Sequence, residues 1–177
     1  TTVLEAPDWI DSVPSDMNFN IDLNNIFTPY CTYTLTCLFR RDTFNLDFFK
    51  NKKFTKDNTL YALCLTQGQG VLLNFYGAVY RLHEGGIYSS ASVFNQKYFS
   101  YKNIKEIITY LPECNNKNFT TIRSYLLVDS IIFKKKKKIF KYYDLFFDSL
   151  QYFGLKKTIN LFLKKIKGDT ITRKSIS

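Results

Sequence analysis

Catalysis needs side chains that can move a proton, hold a metal ion or attack a bond, and this sequence offers few of them in a working pattern. His83 is the single histidine, so any histidine-dependent triad would have to use it. The GxSxG, HExxH, P-loop and GxGxxG patterns are missing from the sequence. Gln67-Gly68-Gln69-Gly70 falls between two strand-like runs. It reads as a hairpin turn, because no helix start follows to hold a phosphate. Asp42, Asp47, Glu84 and Glu106 show no pairing that spacing can establish. Cys31, Cys37, Cys64 and Cys114 lack CxxC spacing, so no metal and no cofactor are expected. Cys37 and Cys64 sit inside apolar runs as small hydrophobes, which favours a reducing compartment. The expectation is a non-enzyme.

The elements that would position any binding residue follow from periodicity. The first fourteen residues are an acidic lead-in interrupted by Pro7 and Pro14. No leader peptide is expected from this acidic, polar opening. Ser15 or Asp16 can cap a short helix whose face carries Phe19, Leu23, Ile26 and Phe27. Residues 31–41 alternate: Tyr33, Leu35, Cys37 and Phe39 oppose Thr32, Thr34, Thr36, Leu38 and Arg40, the mark of a half-buried strand. Residues 44–58 are a polar and basic loop. The apolar run 60–66 reads as a central strand. Strands are also expected over 71–76, 78–83 and 87–90. Ile104, Ile107, Ile108 and Leu111 predict an amphipathic helix that Pro112 stops.

Within that order, Leu38-Phe39-Arg40-Arg41-Asp42-Thr43 is similar to the strand signature of the SH2 family: apolar residues, arginine, acid, hydroxyl. Tyr61-Ala62-Leu63-Cys64-Leu65 resembles the family's next strand, and Ala78-Val79-Tyr80-Arg81-Leu82 the third. Gly85-Gly86-Ile87-Tyr88-Ser89 resembles the short strand after it. Phe99-Ser100 with Ile104-Lys105-Glu106-Ile107-Ile108 resembles the second helix. The resemblance implies an α+β fold over residues 15–112, an SH2-like antiparallel sheet flanked by two helices, with a C-terminal helical extension over 113–177. It implies phosphotyrosine-peptide binding, with tyrosine-phosphorylated proteins as partners. Arginine suits that task because its fork gives phosphate two parallel hydrogen bonds. By resemblance the phosphate arginine is Arg40 or Arg41. Strand alternation prefers Arg40, and motif register prefers Arg41. Thr43 would donate its hydroxyl and Arg81 would support phosphate or ring. Lys52 and Lys53, with Lys50 and Lys56, would replace a cation that the first helix lacks. His83 reads as a turn residue, and the resemblance implies a supporting position for it. Val79 departs from the family, which has histidine there, and Trp9 matches the usual tryptophan start only loosely.

The charge is unevenly placed. Residues 1–130 carry twelve basic and twelve acidic side chains, whereas 131–177 carry thirteen basic and three acidic, which supplies the whole net charge of +10. After Gly154 the residues Leu155, Ile159, Phe162, Leu163 and Ile166 share one helical face and the lysines lie mainly off it. Gly168 is a stop. That face is expected to pack on the domain, in preference to lying on an anionic membrane. Nucleic acid is the third option for the lysine run 134–138. A helical extension resembles the SH2 proteins of intracellular bacterial effectors, which implies an adaptor or effector acting in a host cytosol. The alternative is a basic helical adaptor that binds anionic membrane or nucleic acid, with the sheet as scaffold.

Overall fold

The computed structural model describes residues 19–27, 36–43, 45–73, 90–134, 142–168 and 171. These are mainly helical, with one small two-stranded antiparallel sheet, an arrangement compatible with an α+β class. Strand β1 (Phe19–Ile21) pairs with β2 (Gly70–Leu72), Phe19 opposite Leu72 and Ile21 opposite Gly70. Helices α1 (Asp57–Leu65), α2 (Val93–Tyr110), α3 (Lys117–Phe133) and α4 (Tyr143–Lys167) follow. Single 3-10 turns occupy Arg41–Thr43, Leu46–Phe49 and Pro112–Cys114.

The helix expected to carry Phe19 to Phe27 is instead β1 and a tight turn. The cause is the density of Asn and Asp side chains, which compete with a helix for backbone groups. Asn25 Oδ1 accepts from the Asp22 N–H at 2.8 Å, Asp22 Oδ1 accepts from the Asn24 N–H at 2.7 Å, and Asn25 Nδ2 donates to the Asn20 carbonyl at 2.9 Å. Ile21 and Ile26 are buried all the same, with Phe19, Leu23 and Phe27 packed beside them.

The central strand expected over 60–66 is helix α1. Residues 60–65 contain no β-branched side chain, and a continuous apolar run suits a buried helix as well as a buried strand. Asp57 in the first turn favours the N-terminal end of the helix dipole. The Lys56 N–H donates to Thr59 Oγ1 at 3.3 Å, tying the first turn back on itself. Tyr61, Ala62 and Leu63 are buried. Without that partner strand, the described part of the 31–41 run is not a strand either. Residues 37–40 are irregular, and Phe39 lies against Tyr61 with ring centroids 6.1 Å apart. Its alternation survives in part: Cys37 is half-buried and Leu38 fully exposed. Residues 31–35, the strand expected over 78–83 and all but Ser90 of that expected over 87–90 lie outside the described residues; Ser90 itself is not in a strand.

The helix-forming pattern before Pro112 is realised and extended. Ser92 caps α2 by accepting from the Asn95 N–H, and Pro112 opens a 3-10 turn just past its end. Asn116 caps α3 in the same way through the Phe119 N–H. Two cores result. One gathers Ile21, Ile26, Tyr61, Ala62, Leu63, Ile104, Ile107, Leu111, Cys114 and Phe119. The other gathers Phe94 and Tyr101 of α2, Leu127 and Ile131 of α3, and Leu145, Leu161 and Phe162 of α4. Chain on both sides of residue 112 therefore shares the second core.

Candidate functional site

Helix α4 has two segments because Gly154 breaks it. Its φ of 78° and ψ of 170° belong to a region essentially reserved for glycine. The segment before the break is clamped to α2. Tyr98 and Lys102 both donate to Asp144, at 2.7 Å and 2.8 Å. One turn on, Tyr101 and Lys105 both donate to Asp148, which is buried. The spacing explains the clamp: acids one turn apart on α4 meet phenol–ammonium pairs one turn apart on α2. Burial pushes the Asp144 carboxyl up, but the Lys102 and Tyr98 hydrogen bonds outweigh it and hold it below the usual carboxylate range. Burial, then the bonded carboxylates, push both phenols well above their ordinary value.

The segment after the break is only half used by the core. On a helix advancing about 100° per residue, Leu161, Thr158 and Phe162 fall within an arc of roughly 100°, and all three are buried. Leu155, Ile166, Ile159 and Leu163 fill the next arc of roughly 80°. These four are between 42% and 61% exposed. Of the face expected to pack on the domain, only Phe162 does so. Lys156 and Lys167 border the exposed stripe, followed by Asn160, Lys164 and Lys157. Residues 155–167 hold five lysines and no acid. Lys165 leans the other way and donates to the Ile132 carbonyl, satisfying a backbone group near the end of α3. Gly168, at φ 90°, closes the helix. The surface is thus an apolar stripe with a cationic border, on a segment whose opposite side is packed into the core.

The residues singled out from the sequence fare differently. Arg40 and Arg41 are exposed, not rising from a sheet but at a 3-10 turn. The Thr43 hydroxyl donates to the Arg40 carbonyl at 2.7 Å, so it closes this turn. The Lys52 ammonium lies 3.1 Å from the Tyr110 ring centroid and 4.8 Å from that of Phe48. Lys53 is exposed, and its backbone N–H, with that of Phe54, is gripped by the Glu106 carboxylate at 3.0 Å. Arg81 and His83 lie outside the described residues. Lys52 and Lys53 are thereby tied to α2 rather than to the arginine turn. Among the described residues no cluster of His, Cys, Asp and Glu is placed to hold a metal ion. Cys37, Cys64 and Cys114 are free thiols, and burial pushes that of Cys114 up to about 12.

Sequence reasoning missed the clamp and the aromatic seat of Lys134. The repeated one-turn spacing of Tyr98/Lys102, Tyr101/Lys105 and Asp144/Asp148 is a visible signal for the first. Among the described residues no helix is long and apolar enough to cross a membrane. No protein-family model matches the chain, and no curated protein or solved structure matches it.

Proposed function

We propose that this protein is a non-catalytic, membrane-surface adaptor that docks on anionic phospholipid through the distal segment of α4. The observation that carries the reading is the exposed stripe of Leu155, Ile159, Leu163 and Ile166 with lysines along its border. A helix of this kind lies in the interfacial plane, its apolar residues below the headgroups and its lysines among them. Completing the burial of each stripe residue contributes roughly 1 kcal/mol. Each lysine near an anionic leaflet contributes about 1 kcal/mol more. A second copy of the chain is a poor occupant, because it would oppose lysine to lysine. Nucleic acid would reward the lysines and leave the stripe in water.

The test is co-sedimentation with phosphatidylserine-containing and pure phosphatidylcholine vesicles. Binding should require phosphatidylserine, weaken with salt, and fall in both Ile159→Gln/Leu163→Gln and Lys156→Gln/Lys167→Gln. Lipid-independent behaviour of all three proteins would end the reading. So would capture of duplex DNA that the stripe variant leaves unchanged.

A second reading, phosphotyrosine binding in the manner of an SH2 domain, keeps one supporting observation: Arg40 and Arg41 are both exposed at a single turn. Helix α1, where a sheet strand was expected, weighs against it. Phosphopeptide binding lost in Arg40→Ala or Arg41→Ala, and absent for the unphosphorylated twin, would restore it to first place.

A further inference from the structure

Lys134 opens the lysine run, yet its side chain is not in water. The residue is only 6% exposed, and its ammonium sits 3.9 Å from the Phe94 ring centroid and 3.3 Å from that of Tyr142. Tyr98 braces both rings, stacked on Phe94 at 5.4 Å and edge-on to Tyr142 at 5.1 Å. Phe94 and Tyr142 meet edge to face at 5.1 Å. Helix α2 supplies two of these rings, the start of α4 the third, and the end of α3 the lysine. The Tyr98–Asp144 hydrogen bond fixes the bracing ring in place.

The chemistry of this seat is specific. Among the described residues no carboxylate pairs with the Lys134 ammonium; Asp144, two residues from Tyr142 along the chain, is engaged by Lys102 and Tyr98. Ring faces attract any cation, but they do not accept three strong hydrogen bonds. A primary ammonium is compact and strongly hydrated, so it loses much on entering such a seat. A quaternary alkylammonium is weakly hydrated and has no N–H to satisfy. The same walls therefore suit it better than their present occupant. We propose that Phe94, Tyr98 and Tyr142 form a binding site for quaternary alkylammonium of choline size, kept closed by Lys134 as a tethered competitor. The site is independent of the membrane reading and stands or falls without it.

The test is a titration with choline chloride, followed by intrinsic tyrosine fluorescence, against wild type, Lys134→Ala and Lys134→Ala/Phe94→Leu. Lys134→Ala should bind saturably, wild type about tenfold more weakly because the tethered lysine competes, and the double variant weakest. Ammonium chloride should compete poorly. Glycerophosphocholine in place of choline separates a lipid headgroup from the free cation as the natural source. If Lys134→Ala fails to fold, choline added during refolding should restore its helical circular dichroism. Equal binding by wild type and Lys134→Ala would overturn the proposal. So would a Lys134→Ala protein that neither binds choline nor is rescued by it.

Discussion

The two segments of α4 are built from similar residue types and put them to opposite uses. Before Gly154, Asp144 and Asp148 turn inward, and two phenols and two ammonium groups from α2 satisfy them. After Gly154 the segment carries no acid, and Lys156, Lys157 and Lys167 are exposed beside an uncovered apolar stripe. Paired opposite charge ties the first segment to α2; the second carries lysines with no acid among them, beside the stripe on which the proposed membrane docking rests. The glycine between them lets one helix do both, because its backbone redirects the axis without requiring a loop.

Breaking the clamp should have the largest effect. Asp148→Ala strands the Tyr101 hydroxyl and the Lys105 ammonium beside a buried gap. It should destabilise the fold by about 3 kcal/mol, the low end for a broken buried pair because Lys105 is one-third exposed. Urea unfolding followed by circular dichroism measures it. Gly154→Ala comes next. No atom lies within 4 Å of an added Cβ, so the penalty is backbone strain alone, about 1–3 kcal/mol. The same variant should straighten the helix and reduce vesicle binding. By contrast, Lys156→Gln/Lys167→Gln should shift stability by less than about 0.5 kcal/mol while lowering affinity for anionic vesicles about thirtyfold. A stability loss from that pair as large as that from Asp148→Ala would erase the contrast between the segments.

The smallest effect is the response to acid. The Asp144 carboxyl titrates lower in the folded protein than its ordinary value of 3.8. Its contribution is therefore complete above that value and disappears as pH falls through the lower, folded one. Wild type should lose stability below about pH 4, and Asp144→Asn should show a flatter acid limb. Identical acid limbs would mean that Lys102 and Tyr98 do little for that carboxylate.

How much of this was legible in the sequence depends on whether the signal was local. The helix ending at Pro112, the break at Gly154 and the stop at Gly168 were readable because each rests on one residue's backbone preference. The inward side of Phe19, Leu23, Ile26 and Phe27 was readable while their conformation was not, since apolar spacing over so short a stretch fits a helix or a strand with a turn; Ile21, buried through the strand, fell outside the helical face. The run 60–66 misled because a fully apolar segment has no period to read. Its loss as a strand also removed the pairing that residues 36–41 needed. On α4, periodicity grouped Leu155, Ile159, Phe162, Leu163 and Ile166 on one face, but of these only Phe162 packs on the domain as expected, and the buried Leu161 and Thr158 lay outside that grouping. Which part of a wide apolar arc meets the core is decided by α2 and α3, not by α4 itself.

The most direct measurement places tryptophan on either side of the stripe's edge, at Ile159→Trp and at Asn160→Trp, in a Trp9→Phe background. Each protein is mixed with phosphatidylserine-containing vesicles and its emission recorded. The account predicts a blue shift for Ile159→Trp and little change for Asn160→Trp, with the Asp144–Lys102 clamp intact. Equal shifts at both positions, or none at either, would contradict a helix that lies on the membrane by this face.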